Sequence, residues 1–471
     1  MRLLPLILIA LSLGLYANTL SHEFVWDDHY FIDENSKLED PNFIRSAFTQ
    51  DLWQNTDLNM KSGFYRPVPL FATYVVFRIA GEAPWAYHLM SVLLHGANGL
   101  LVFFFLKELT GRNAVAFYSS VIFIVHPLAS ETVNLIANWG DLFCALFVLL
   151  CLYLYVVFLK RRFFLHYLLS LLSLFLAFLS KENAMAAIAL IVLTHYFFTA
   201  ENQARAASKG WLVFLPYAAL TALYVGLRSA IVGPLNALTN LENVRYVSVL
   251  PSFDMLSHVL TTAKILSLYL QMFFYPAHQS ISHIMLPSAN IFEFETFFAV
   301  FAVIALLALA IASSTTEKRW IGFALGFFFV TILPVSNLIP ISNTIAERFM
   351  YLPMLALCYL SAEMFARALD LKGARSFRFT VALLLLLVAA LGLKTFKRNG
   401  AWASDHTLFA GTTDSIGCAP IAHINLVAAY NRQRQWDKAA QEQFLYEQCK
   451  SAIKEEYRRM KDLRRALFFD S

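Results

Sequence analysis

A chain of 471 residues that is 58% apolar and 15% charged, with a formal net charge of +5, is not an ordinary soluble globular protein. Its mean hydropathy of +0.57 points the same way. The Lys and Arg residues cluster in short loops between apolar segments, which is how charge orients a membrane protein and gives no sign of nucleic-acid binding.

In chain order, the segments expected to cross the bilayer are residues 3–20, 88–106, 114–125, 142–159, 163–179, 184–198, 211–227, 297–313, 320–332, 349–365 and 379–393. In lipid they must be helices, because an open strand edge finds no hydrogen-bond partner there. The first reads as an uncleaved span, since no convincing Ala-x-Ala site follows it. Residues 255–275 are also apolar. If they make no net crossing, the basic loops at 107–112, 160–162, 205–209, 318–319 and 367–378 all stay cytoplasmic. The expectation is an all-α polytopic membrane helix bundle of about 11 spans with its tail outside. Twelve crossings would leave the last two basic loops on the wrong side. Residues 1–393 form the membrane domain, with 21–87 as the first extracytoplasmic loop and 394–471 as an extracytoplasmic helical tail.

This topology gathers the unusual polar residues on the outer side: Asp27-Asp28-His29, Tyr65-Arg66-Pro67, the loop from 126 to 141, Lys181-Glu182-Asn183, His278 and His283, and Glu347-Arg348. Polar groups that converge on one end of a bundle define a site there. Asp27 or Asp28 can take a proton from an attacking hydroxyl; the plain alternative is a helix cap. Arg66, beside Tyr65 and stiffened by two prolines, can hold a phosphate through paired hydrogen bonds, or simply snorkel at the lipid interface. His126, Glu131 and Asp141 crowd a short loop, where they form a cavity wall or tie two helix ends together. Lys181 with Glu182 and Arg348 with Glu347 are local ion pairs, or cations kept oriented toward a lipid phosphate. None of these spacings is a standard metal pattern.

Five cysteines show no metal-ligand spacing. Cys418 and Cys449 lie in the polar tail and pair if it is in an oxidising compartment. Residues 420–444 have the small and aromatic spacing of one tetratricopeptide helix pair, which cannot bury its face alone. It must dock on the membrane domain, pair with another chain, or be a vestige. Arg458-Arg459 and Arg464-Arg465 are placed to lie on anionic lipid.

With these pieces in order the chain resembles the GT-C superfamily of polyprenyl-phosphate-sugar-dependent glycosyltransferases. It is most similar to bacterial relatives of the transmembrane and tetratricopeptide repeat-containing O-mannosyltransferases. The matching residues are Val25-Trp26-Asp27-Asp28; Tyr65-Arg66-Pro67; Tyr87-His88-Leu89 through Leu93-Leu94-His95; His126-Pro127 with Glu131 and Asp141; Ser180-Lys181-Glu182-Asn183; and residues 347–353. The resemblance implies transfer of a sugar, mannose in this family, from a polyprenyl-phosphate donor to an acceptor hydroxyl on a protein or glycan. The displacement would be inverting, with Asp28 preferred over Asp27 as base. Tyr65, Arg66, Lys181 and Arg348 would hold the donor phosphate. His126, Glu131, Asp141, Glu182 and Glu347 would line the cavity or meet the acceptor. No cofactor is expected. The location implied is the bacterial inner membrane, or the endoplasmic reticulum membrane in a eukaryote, with the site and tail extracytoplasmic.

Two departures stand out. Related sequences often carry Gly-Arg before the aspartate of the 126–141 loop, where this chain reads Asn138-Trp139-Gly140-Asp141, and the repeat region is far shorter than a full array. Rival readings are a transferase acting on a lipid or polysaccharide, a membrane scaffold with a recruiting tail, and a transporter.

Overall fold

The computed structural model describes residues 3–201, 210–233, 255–283, 285, 287–288, 290–338, 344–369, 374–416 and 418–468. The basic loop at 205–209, and the side chains of Arg464 and Arg465, lie outside what is described. Among the described residues the chain is helical, with no strand. We number the longer helices α1 (Leu4–Leu15), α2 (Pro67–Ala80), α3 (Pro84–Thr110), α4 (Asn113–Val125), α5 (Trp139–Arg161), α6 (Phe164–Phe178), α7 (Ala187–Glu201) and α8 (Leu215–Val232). They continue as α9 (Met255–Phe274), α10 (Phe294–Ser314), α11 (Arg319–Ile332), α12 (Met354–Leu369), α13 (Ala374–Ala401), α14 (Asp405–Ile416), α15 (Pro420–Arg432) and α16 (Trp436–Phe468).

Among the described residues, six helical stretches are long and apolar enough to cross a membrane: Pro84–Thr110, Ile136–Arg161, Glu182–Thr199, Trp211–Val232, Phe294–Ser314 and Phe377–Ala401. A seventh results if α4 and the segment Pro127–Asn134, bent 56° from it, count as one. Helix length and composition therefore carry a multi-pass membrane protein but not the expected eleven spans. The difference lies in short elements. α1 has 12 residues and ends in a tighter turn, Ala17–Ser21, so it rises only about 18 Å, short of the hydrocarbon thickness. Residues 21–87, expected as loop, contain the apolar helix α2, with Pro67 at its first position, where a missing N–H costs nothing. α9, the segment suspected of not crossing, is not among the six.

Burial sorts the bundle into two layers. The membrane-length windows on α3 and α5 are 61% and 67% buried, against 17% on α10 and 22% on α13. α3 is central, packed on α1, α4 and α5. The outer helices expose Phe301, Ile304, Leu385 and Leu386, an apolar surface that suits hydrocarbon and would be a liability in water. α3 and α4 approach closely because position 99 is glycine; a Cβ there would come within 2.6 Å of Ile124. Buried polar ties fix the inner layer. His95 Nδ1 and Asn98 Nδ2 meet the Tyr351 hydroxyl at 2.8 and 3.1 Å, and the Trp139 indole donates to Ser91 at 2.7 Å.

The tail answers its burial problem by docking on the membrane domain. Trp402, Leu408, Phe409, Ala422 and Leu426 form a second apolar core with Val25, Leu135 and Ile281. α15 packs on α16, and a disulfide joins Cys418 to Cys449 with Cα atoms 5.4 Å apart.

Candidate functional site

Loops from distant parts of the chain meet at one end of the bundle. Gly140 marks the closest approach: a Cβ on it would lie 3.2 Å from the Ser180 carbonyl oxygen, 3.7 Å from Arg66 Cδ and 3.8 Å from Lys181 Cδ. With glycine there, the start of α5 slides between two cations. Lys181 Nζ pairs with Asp141 Oδ2 at 2.6 Å, both side chains being less than a tenth exposed. The Arg66 guanidinium holds Glu182 through Nη2 at 2.9 Å and Nε at 3.0 Å, and it also lies over the Phe64 ring. Arg348 pairs with Glu131 through its guanidinium and donates its backbone N–H to the same carboxylate at 3.1 Å. The Phe349 ring lies beside both Lys181 and Arg348. Three cations thus converge, each steadied by its own carboxylate.

The charges feel one another. Burial lowers the Lys181 ammonium, with Asp141 supporting its charge and Arg66 and Arg348 opposing it. The attraction of Glu131, Asp141 and Asp27 outweighs burial at Arg348, so its guanidinium is held more firmly protonated than usual.

The two aspartates differ sharply. Asp28 is fully buried; its Oδ1 accepts the Ala137 N–H at 2.7 Å and its Oδ2 the Val25 N–H at 3.5 Å. Burial pushes it up to about 8, against backbone donors from Ala137 and Ile136. Asp27 is only partly buried. Burial pushes it up to about 6, with the Arg348 charge pulling down. Asp28 thus ties its loop to the 126–141 loop, while Asp27 lies in the field of the Arg348 charge.

Other expected site residues serve as ties. The Tyr65 hydroxyl donates to the Phe48 carbonyl at 3.0 Å. His126 contacts the Phe273 carbonyl at 3.0 Å through Nε2, accepts the Leu128 N–H at Nδ1, and is lowered to about 4 by burial. Glu347 is fully buried, accepting the Ser280 N–H at 2.6 Å with His283 Nε2 3.5 Å away. Of the eleven expected residues, Arg66, Lys181, Arg348, Glu131, Asp141 and Glu182 make the charged cluster, and Asp27 feels the Arg348 charge. Among the described residues no three of His, Cys, Asp and Glu come together to hold a metal ion.

A 480 Å³ cavity lies between residues 23–33 and the tail, with His29, Asp405 and Arg432 in its wall. Asp405 and Arg432 escaped the sequence reading because both sit in an unremarkable polar helical stretch; only the fold brings them to residues 26–34.

A polytopic helix bundle with a buried charged site at one end is a class of membrane protein, and comparison makes it more particular. Residues 66–227 match the family model described as dolichyl-phosphate-mannose-protein mannosyltransferase, a stretch that includes Arg66, Glu131, Asp141, Lys181 and Glu182. A protein O-mannosyl-transferase of Caenorhabditis elegans is 24% identical over 89% of this chain and 59% of its own length. The protein O-mannosyl-transferase TMTC2 of Mus musculus is 37% identical over 31% of this chain and 18% of its own. Over these stretches the chain is similar to protein O-mannosyl-transferases. It spans less than two thirds of the length of these relatives. A crystal structure of ArnT from Cupriavidus metallidurans bound to undecaprenyl phosphate is similar over 94% of this chain and 74% of that one, at 14% identity and a TM-score of 0.45.

Proposed function

We propose that this protein transfers a mannosyl group from polyprenyl-phosphate mannose to an acceptor hydroxyl on a protein, at the extracytoplasmic end of the bundle. The observation that carries the reading is the convergence of Arg66, Lys181 and Arg348, with Asp27 in the field of the Arg348 charge. The matched family description, which couples a dolichyl-phosphate-mannose donor to a protein acceptor, supports it. The acceptor oxygen attacks the anomeric carbon as the bond to the phosphate oxygen breaks, and Asp27 takes the hydroxyl proton. The configuration inverts, and the polyprenyl phosphate departs with the bonding electron pair. The transition state has oxocarbenium character and charge grows on the leaving phosphate. Arg66, Lys181 and Arg348 are preorganised to meet that charge, and their carboxylate partners keep them from moving to do so. Glu131, Asp141 and Glu182 are thereby positioning groups.

The test is transfer from labelled polyprenyl-phosphate mannose in membranes containing the wild type or Asp27→Asn at matched expression. We expect label in the protein fraction with the wild type and a loss on the order of 10²-fold or more with the variant. Equal labelling in both removes Asp27 from the reaction.

A further inference from the structure

We propose that Asp405, at the start of α14 in the tail, is a positioning residue that sets the place of Asp27. The proposal rests on the reading of Asp27 as base. Three donors converge on the Asp405 carboxylate: the Trp26 backbone N–H at 2.8 Å, His29 Nε2 at 3.1 Å and Arg432 Nη1 at 2.9 Å. The first two flank Asp27. Arg432 in turn reaches Glu34 at 2.7 Å, and His29 Nδ1 donates to Asp33 at 2.9 Å, so the hub grips residues 26 to 34 from the tail side.

Trp26 has φ +57°, the left-handed region that a bulky residue adopts only when its surroundings impose it. Here they do. Its N–H is fixed by Asp405, and its ring packs edge-on against Phe409 one turn further along α14. On the other side, Asp28 pins the chain to Ala137. Asp27 therefore stands between two anchors, Asp405 from the tail and Asp28 from the membrane domain. The tail becomes a functional part of the site without touching a reacting atom.

The test uses the full chain with labelled polyprenyl-phosphate mannose as the probe. Asp405→Ala removes all three contacts. Asp405→Asn keeps the shape but turns a donor toward His29 and Arg432. Each is measured alone and combined with Asp27→Asn, with thermal unfolding as the check on folding. Displacing the base lowers kcat on the order of tenfold or more in Asp405→Ala and by a smaller factor in Asp405→Asn, with the apparent KM for the donor unchanged. Because Asp405 acts through Asp27, neither variant lowers the residual transfer of Asp27→Asn further. Wild-type kcat in a folded Asp405→Asn overturns the proposal and leaves the base reading standing. So does a loss of the same factor in the Asp27→Asn background, which is what a merely structural role produces. Full activity in Asp27→Asn alone removes the base reading and this proposal with it.

Discussion

Asp27 and Asp28 are neighbours in sequence with opposite assignments, and the cause is burial rather than mutual repulsion. Asp28 is enclosed and held up to about 8, so at neutral pH it is mostly protonated and has its carboxyl committed to the Ala137 N–H. Asp27, at about 6, is ionised there. A base must be unprotonated, so kcat/KM should fall below about pH 6 as Asp27 gains its proton; a rate flat down to pH 5 would argue against it. Asp28 makes its own prediction through stability. Its folded value lies above the ordinary 3.8, so the folded state binds that proton more tightly than the unfolded chain. The resulting stabilisation is complete below about pH 4 and is lost as pH rises through about 8. Asparagine mimics the protonated carboxyl. Asp28→Asn should therefore transfer at a rate within a few-fold of wild type and lose less thermal stability than wild type does between pH 6 and 9. Parallel melting curves would mean that Asp28 is ionised in the fold.

Among the elements, the start of α5 decides the spacing of the site. Gly140→Ala would set a methyl group 3.2 Å from the Ser180 carbonyl, with Arg66 and Lys181 at ordinary contact distance. That backbone must give by a few tenths of an ångström, and Lys181 follows it. We expect turnover to fall about tenfold while stability drops by about 1 kcal/mol; a rate unchanged from wild type would show that Lys181 has slack. The sequence made most of this end of the molecule legible, because charges are so rare in the apolar stretches that Arg66, Asp141, Lys181 and Arg348 stood out. It also paired them wrongly. Lys181 and Arg348 each have an acidic neighbour in sequence, yet Lys181 bonds Asp141 and Arg348 bonds Glu131. An ion pair is chosen by the approach of helix ends, which periodicity does not encode. Short helices were hidden for a related reason. The stretch that becomes α2 follows a polar loop and opens on Pro67 and Pro69, and apolarity over 14 residues does not distinguish a helix from a buried connection.

At the scale of the molecule, tail and site share one end, so the redox state of the tail reports the side on which chemistry occurs. The disulfide Cys418–Cys449 closes a loop with a sequence separation of 31, worth about 3 to 4 kcal/mol in the chain-entropy description. It ties α16 to the junction of α14 and α15, the two helices that carry Asp405 and Arg432. Disulfides persist outside the cytosol and are rare within it. Cys144, Cys151 and Cys358 are buried, so alkylation of native membranes without reductant should label no cysteine, and reductant should add two labels in the tail. Rapid labelling of Cys418 and Cys449 without reductant would put the tail in the cytosol. The site would have to move with it, because Val25, Trp26 and His29 are bonded or packed directly to α14. A lipid-linked donor facing outward would then be the wrong substrate, and the proposed reaction would fall on topology alone.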